Sequence, residues 1–259
     1  MQPVSLVGFG EAGSTFAKVG LWGAAARVFD IKDKRLEYDS AGVSGCDSLS
    51  EAIRNSSVII SLVTADQAAK VAESVAHFIA PNTHYFDMNS VAPQTKQVAA
   101  DHIGKAGGHY VDVAIMAPVN PAQLSVPLLL SGSDAEDGSA VLAQLGFDNV
   151  QVVPGDIGKA TSIKMIRSIM VKGIEALTAE MMLAAQEAGV TEEVLQSLGA
   201  DWTEKAHYNI ERMTTHGLRR AAEMEEVVLT LNALGIEPLM TRGTIARQRE
   251  IGNSGDLKL

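Results

Sequence analysis

Short apolar runs alternate with helix-like stretches along the N-terminal half of the chain. The run Val58–Val63 is continuous and rich in β-branched residues, as expected of a strand buried on both faces. Comparable runs predict further strands at 4–7, 26–30, 83–87, 109–113 and 126–130. Helix patterns lie between them, among them 11–20, 66–79 and 93–103. This alternation predicts βαβ units and a mainly parallel sheet.

The pattern changes near Pro154. Strand signals end at 150–153, and residues 157–188 form one long helix pattern that Gly189 is suited to end. Further helices are predicted from Thr191 onwards and at 218–234 and 238–251. We therefore predict an α/β domain over residues 1–154, followed by an all-α domain over residues 155–259 that begins with the long helix.

The long helix is apolar on more than one side, at positions that include Ile163, Ile169, Val171 and Leu177. A helix that is apolar nearly all round is expected to be buried. One chain supplies few helices to cover it, so we predict that a second subunit contributes and that the protein is a homodimer formed through the helical domain.

Composition excludes several classes of partner. The 21 basic and 31 acidic residues give a net charge of −10, which disfavours nucleic acid or an anionic membrane as the main partner. Local cations can still hold a small anionic substrate. One cysteine excludes a disulfide within the chain, and the six histidines lack metal-ligand spacing, so no metal site is predicted. The start of the chain has no secretory pattern and no apolar run approaches about 18 residues, so we expect a soluble, cytoplasmic protein.

A glycine motif follows the first strand. Its six residues fit G-x-G-x-x-G: Gly8, Phe9, Gly10, Glu11, Ala12 and Gly13. The first glycine allows the tight turn, the second lets a pyrophosphate approach the backbone, and the third lets helix and strand pack closely. The N-terminus of the following helix offers N–H groups to phosphate. The alternative is a glycine turn in an α/β fold that binds no nucleotide.

Asp30 ends the second strand at the position where dinucleotide-binding folds place an acidic residue. Its carboxylate, with the adjacent Ile31, is predicted to contact the adenosine ribose and to repel a 2′-phosphate, which favours NAD over NADP. The cations that follow, Lys32, Lys34 and Arg35, keep NADP possible. Together the glycine motif and Asp30 predict a Rossmann domain.

Polar residues follow two other predicted strands, at the edge where open α/β sheets bind ligands. We predict that Val63, Thr64 and Asn89 contact the cofactor and that Ser90 contacts the substrate. The alternative is ordinary loop capping, in which Thr64 caps the helix after it.

The chain resembles the β-hydroxyacid dehydrogenase superfamily, which includes 3-hydroxyisobutyrate and 6-phosphogluconate dehydrogenases. The resemblance rests on the glycine motif, on Phe86–Pro93, on Asp112–Pro118, and on Gly155–Gly158 leading to Lys164. It implies an NAD(P)-dependent oxidoreductase that acts on a small hydroxy acid or its aldehyde or keto form. It also implies that Lys164 is the catalytic general acid and base. Without the resemblance, Lys164 would be interpreted as a surface lysine.

The chain departs from this family around the substrate. The family's Ser-Gly-Gly loop is replaced by Met116-Ala117-Pro118, and Asn120 is the nearest side-chain amide. Ser168 stands where the family has an asparagine one turn after the lysine. His216, predicted at a helix start, either faces the substrate or caps the helix. We predict substrate contacts for Met116, Asn120, Ser168 and His216.

Three alternatives stay open. Related folds reduce imines, although Lys164 disfavours that interpretation. A phosphorylated sugar acid would need a cluster of cations, and the candidates are Arg219, Arg220, Arg242 and Arg247. The third alternative is a module that binds NAD without turnover. Arg219 and Glu223 are spaced as a helical ion pair, and Lys172 and Glu175 are also expected to form structural ion pairs.

Overall fold

A computed structural model describes residues 3–254 of the chain. The chain forms two compact units, the first ending at Lys164 and the second beginning at Met165. The division falls inside the long helix, beyond Pro154, and the domain boundary at residue 154 stays a prediction.

The first unit contains one eight-stranded sheet with the order β3-β2-β1-β4-β5-β6-β7-β8. All neighbouring strands are parallel except β6 and β7, which confirms the mainly parallel Rossmann sheet. One strand, β3, was not predicted because it is only two residues long. The strands are β1 Val4–Val7, β2 Ala26–Phe29, β3 Ser44–Gly45, β4 Val58–Ser61, β5 His84–Asp87, β6 His109–Ile115, β7 Leu128–Ser131 and β8 Val150–Val152.

In the described part of this unit, six α-helices accompany the sheet: α1 Glu11–Gly20, α2 Arg35–Ala41, α3 Leu49–Ile53, α4 Ala68–Ala76, α5 Pro93–Lys105 and α6 Ala135–Gln144. Pro93 at the first position of α5 suits a helix start, because that position needs no N–H donor. The central strands are buried along their length, and apolar clusters pack around them. This burial explains why the continuous apolar runs predicted the strands well.

Between residues 165 and 254, the second unit contains helices and no strand. It holds most of α7 (Lys159–Ala188), together with α8 (Thr191–Leu198), α9 (Trp202–Ala233) and α10 (Leu239–Ser254). The prediction that α9 begins at 218 was wrong, because the helix begins at Trp202. Polar residues dominate its first half, but Ala206, Ile210, Met213 and Gly217 recur at helical spacing and are buried.

Close approach of two helices orders the second unit. A Cβ added to Gly217 on α9 would lie 2.4 Å from the carbonyl oxygen of Gln248 and 2.8 Å from Cα of Gly252 on α10. Only glycine permits this contact between the helix backbones. Between residues 3 and 254, none of the helices combines the length and the hydropathy that a membrane span requires.

The single chain buries only part of α7. Met165, Ala176, Ala179 and Met182 are buried, as expected. A second row of apolar residues at helical spacing is exposed in the single chain: Ile166 (49%), Met170 (65%), Ile174 (41%) and Leu177 (57%). The helix is therefore not buried all round by its own chain.

Candidate active site

The glycine turn after β1 is shaped by Gly8. This residue has φ +93°, a conformation that favours glycine. A Cβ there would lie 2.4 Å from the carbonyl oxygen of Leu62 at the end of β4. The turn therefore brings the backbone against the neighbouring strand, as the motif predicted.

The other two glycines have different surroundings. A Cβ on Gly13 would lie 2.6 Å from the carbonyl oxygen of Gly8, so α1 packs closely on the turn. Gly10 is the N-cap residue of α1, is exposed, and has no atom within 4 Å of the place where a Cβ would stand. Open space beside the helix N-terminus is what a pyrophosphate needs, so the loop fits a dinucleotide.

Asp30 fixes this loop. Its Oδ2 accepts a hydrogen bond from the Phe9 N–H at 2.7 Å, and its Oδ1 accepts one from the Lys32 N–H at 2.9 Å. Lys34 Nζ donates to the carbonyl oxygen of Phe9 at 2.7 Å. A carboxylate can accept about four hydrogen bonds, so Asp30 can still accept ribose hydroxyls. Ile31, beside it, is 88% exposed.

Asn89 ties the ends of β4 and β5 together. Its Oδ1 accepts a hydrogen bond from the Val63 N–H at 2.6 Å, and its Nδ2 donates to Asp87 Oδ1 at 2.7 Å and to Ser61 Oγ at 3.0 Å. Its side chain is buried and committed to the protein itself. Thr64, next to Val63, is exposed and is the N-cap residue of a short 3₁₀ helix rather than of α4.

Lys164 and Ser90 meet at the carboxyl edge of the sheet. Lys164 Nζ donates to Ser90 Oγ at 2.6 Å, and both residues are half-buried. Ser90 follows β5, and Lys164 lies in the second turn of α7. Two residues separated by 74 positions, predicted for substrate contact and proton transfer, are thus in direct contact.

A row of buried polar side chains crosses the sheet below this pair. The strand register aligns Ser61, Asp87, Asp112 and Ser131 on β4 to β7, and all four side chains are buried. Tyr110 donates from its hydroxyl to Asp87 Oδ2 at 2.7 Å. Burial, and then the charge of Asp87, raise the pKa of Tyr110 well above its ordinary value.

A lysine lies between the two aspartates. Lys96 Nζ is 3.0 Å from Asp87 Oδ1 and 3.4 Å from Asp112 Oδ1, and all three side chains are fully buried. None of these three residues had a predicted role. The sequence signal that could have revealed this cluster is a charged residue on an apolar helix face. Lys96 occupies the same helix face as the buried Ala99, Ala100 and Ile103.

Asp112 caps the start of α7. Its Oδ2 accepts hydrogen bonds from the N–H groups of Gly158 and Thr161, both at 3.1 Å, and its Oδ1 accepts one from Thr161 Oγ1 at 2.8 Å. Ser131 Oγ donates to Asp112 Oδ2 at 3.0 Å and accepts from the Ala160 N–H at 2.9 Å. A carboxylate at a helix N-terminus satisfies free N–H groups and the positive end of the dipole. Lys164 is carried by the turn that follows.

The loop that replaces the family's substrate loop follows β6. The Met116 N–H donates to the carbonyl oxygen of Pro127 at 2.9 Å, which ties the loop to the chain entering β7. Met116 is half-buried, whereas Pro118 and Asn120 are exposed. Substrate contacts for Met116 and Asn120 stay predictions.

Two predicted substrate residues lie in the second unit. Ser168 Oγ accepts from Lys172 Nζ at 3.4 Å, and burial lowers the pKa of Lys172 despite its ion pair with Glu223. His216 is half-buried in the middle of α9, so its predicted place at a helix start, and a capping role there, were wrong. It lines a surface cavity of about 150 Å³ together with Tyr208, Glu211, Arg212 and Thr215.

The charged residues of the helical unit pair with one another. Lys172 pairs with Glu223 at 2.8 Å, and Glu175 pairs with Arg220 and accepts from Gln248 Nε2 at 2.9 Å, so the prediction of structural ion pairs was right. Each arginine considered for a phosphate also has an acidic partner: Arg219 with Glu223, Arg220 with Glu175, Arg242 with Glu237, and Arg247 with Glu180 and Glu250. These pairs weaken the phosphorylated-substrate alternative.

Comparison with protein families gives two matches. Residues 3–151 match the NAD-binding domain of 6-phosphogluconate dehydrogenase. Residues 185–251 match a family described as a domain of unknown function, DUF1932. The first match covers the sheet with its glycine loop, and the second lies within the helical unit.

Solved structures extend the likeness over the whole chain. A conserved hypothetical protein from Sinorhizobium meliloti is 34% identical over 98% of this chain and 89% of its own, with a TM-score of 0.75. The conserved protein MTH1747, described as structurally similar to 3-hydroxyacid dehydrogenases, is 29% identical over 98% and 99% of the two chains, with a TM-score of 0.73.

A 3-hydroxyisobutyrate dehydrogenase from Mycobacterium tuberculosis, solved with L-serine, shares the fold. Its TM-score is 0.78 over 100% of this chain and 96% of its own, at 15% identity. The family that the glycine motif and the resemblance predicted is confirmed. The chain belongs to the 6-phosphogluconate dehydrogenase-like family, and its residues 3–151 form the NAD-binding domain.

Proposed function

We propose that this protein is an NAD(P)-dependent oxidoreductase that interconverts a small hydroxy acid and its aldehyde or keto form, with Lys164 as the general acid and base. The contact between Lys164 Nζ and Ser90 Oγ, 2.6 Å long, carries the proposal. It lies at the carboxyl edge of the sheet in the unit that holds the NAD-binding domain, where ligands bind in open α/β folds.

The residues of the first unit fit a dinucleotide. The open space beside Gly10 would receive the pyrophosphate, and Asp30 would accept the ribose hydroxyls. When bound, the nicotinamide ring supplies or takes up the hydride. The chain itself has to orient the substrate and provide one group that exchanges a proton.

Lys164 suits that second task. Its amine, when neutral, can take the proton of a substrate hydroxyl, and its ammonium can return one to a carbonyl oxygen. Ser90 holds the amine at a defined place, and its hydroxyl can both donate and accept. Asp112 fixes the first turn of α7, so the lysine is presented by a capped helix end rather than by a loose loop.

Cofactor preference depends on the surroundings of Asp30. Its negative charge opposes a 2′-phosphate, which favours NAD. Lys34 binds the carbonyl oxygen of Phe9, the residue whose N–H binds Asp30, and this nearby cation supports use of NADP as a second cofactor. We propose NAD as the preferred cofactor. The Asp30 carboxylate is hydrogen-bonded to the glycine loop, which holds its negative charge beside the site proposed for the ribose.

The test combines calorimetric titration with NADH and NADPH and an absorbance screen of hydroxy acids, aldehydes and cyclic imines on the same sample. The proposal expects tighter binding of NADH and turnover of at least one hydroxy acid or its oxidised form. Turnover of imines alone would favour the imine reductase alternative. Tight binding with no turnover would favour the NAD-sensing alternative.

A further inference from the structure

Lys96 contacts two aspartates that bind different segments of the candidate site. Its ammonium contacts Asp87 at 3.0 Å and Asp112 at 3.4 Å, and it has no exposed surface. It also donates to the carbonyl oxygens of Asp87 and Val113. Each aspartate supports a different segment of the chain.

Asp87 is linked through Asn89 to Ser90. Asp87 Oδ1 accepts hydrogen bonds from the Asn89 N–H at 3.0 Å and from Asn89 Nδ2 at 2.7 Å. Asn89 is the residue before Ser90, and its own Oδ1 holds the Val63 N–H. Asp87 therefore holds the residue directly before Ser90.

Asp112 is linked through the first turn of α7 to Lys164. Asp112 binds the N–H groups of Gly158 and Thr161 and the hydroxyl of Thr161. Thr161 lies three positions before Lys164 on the same helix, which is nearly one turn. Asp112 therefore holds the turn of α7 directly before Lys164.

The two buried aspartates need the positive charge of Lys96 to lie close together. Two buried carboxylates on adjacent strands repel each other strongly unless a cation lies between them. Apolar side chains of similar volume are often as stabilising as a buried ion pair, so stability alone is a weak reason for a fully buried lysine. A cation that holds two carboxylates at fixed positions does provide geometric precision.

We propose that Lys96 is a positioning residue, and that its ammonium sets the distance between Ser90 and Lys164 by holding Asp87 and Asp112 together. The proposal rests on the proposed function for its effect on catalysis. Its structural part, the pairing of Lys164 with Ser90, can be measured without any substrate.

The experiment uses the full-length double variant Lys96→Met/Asp112→Asn. It removes one positive and one negative charge, so the buried site keeps its net charge, and the amide oxygen of the introduced asparagine side chain can still cap α7. Lys96→Met alone is avoided because it would leave two buried carboxylates without a cation. The second variant is Lys96→Met/Asp87→Asn, which makes the same change in charge and keeps Asp112, so the loss of Lys96 is the only change that both variants share. Denaturant unfolding and NADH titration verify that each variant is folded.

The first measurement is the rate at which Lys164 reacts with a pulse of acetic anhydride, quantified by peptide mass spectrometry. The exposed Lys105 on α5 is the internal reference, and Ser90→Ala is the reference for a broken pair. Relative to the wild type, both double variants should label Lys164 about threefold faster or more, the scale of one lost hydrogen bond, and should approach Ser90→Ala.

The second measurement is kcat and KM with the substrate that the screen identifies. Both double variants should lose about 10- to 100-fold in kcat relative to the wild type, with KM and NADH affinity little changed, because a displaced reacting group slows chemistry rather than binding. If either folded double variant labels Lys164 at the wild-type rate, the proposal is overturned. If the wild type turns over no substrate, the proposed function fails, and labelling alone decides the role of Lys96.

Discussion

At the scale of single residues, glycines and aspartates shape the dinucleotide site. The sequence was sufficient to assign Gly8 and Gly13, because the roles of these glycines follow from backbone geometry. It also located Asp30, although the hydrogen bond from Phe9 to this carboxylate could not be foreseen from spacing alone. The contact of Ser90 with Lys164 bridges 74 positions, so only the folded chain reveals it.

Two of the motif's glycines are expected to respond differently to alanine. Gly8→Ala should destabilise the fold by about 1–3 kcal/mol from its backbone conformation alone, and by more from the contact with Leu62. Gly10→Ala should unfold at the wild-type denaturant concentration, because its Cβ meets open space, yet bind NADH more weakly. Urea unfolding and calorimetry measure the two effects. Equal loss of stability in both variants would contradict the assigned roles.

Asp30→Ala should weaken NADH binding by about 10- to 100-fold, the scale of hydrogen bonds to a charged group, and should reduce the preference for NADH over NADPH. Asp33→Ala is the control, because Asp33 is an exposed acid three positions away. Calorimetric titration of both cofactors gives the ratio of dissociation constants. A ratio that stays at the wild-type value would rule out the ribose role of Asp30.

At the scale of elements, the sheet was predictable and parts of the helices were not. Continuous β-branched runs predicted the central strands because those strands are buried on both faces. The first half of α9 was missed because its many polar residues leave only a sparse apolar spacing. The contacts of Lys96 with Asp87 and Asp112 were missed because strand register and helix packing bring these three residues together only in the folded chain.

Tyr110 on β6, whose hydroxyl donates to Asp87 on β5, should make the free energy of unfolding fall at alkaline pH. The folded-state pKa of Tyr110 is raised by burial and by Asp87, whereas the unfolded chain titrates near 10. The stabilisation is complete below pH 10 and is lost progressively above it, because the unfolded state then releases a proton that the folded state keeps. Tyr110→Phe should show a shallower fall above pH 10 in urea titrations than the exposed control Tyr208→Phe. Equal slopes would contradict this account.

At the scale of the whole molecule, association of two chains would cover the exposed row on α7. The sequence led us to expect a homodimer because the helix is apolar on several sides, and the single chain leaves Ile166, Met170, Ile174 and Leu177 exposed. Partner contacts cannot be read from one chain, since burial between copies has the same sequence signature as burial within one.

We expect sedimentation at micromolar concentration to give twice the mass of one chain. Met170→Lys/Leu177→Lys should shift the protein to the monomer, because two charges would enter an apolar interface. Leu36→Lys, which changes an exposed leucine of the first unit, should leave the mass unchanged. A wild-type protein that sediments as a monomer would exclude the dimer.

The most direct test of the proposed function is turnover by Lys164→Ala at saturating cofactor. We predict a fall in kcat/KM of about 10²- to 10⁴-fold, the usual contribution of a general acid or base, with the NADH dissociation constant unchanged. Lys159→Ala, which removes an exposed cation from the start of the same helix, should retain wild-type turnover. A fall of less than about tenfold in Lys164→Ala would show that proton transfer is carried by another group.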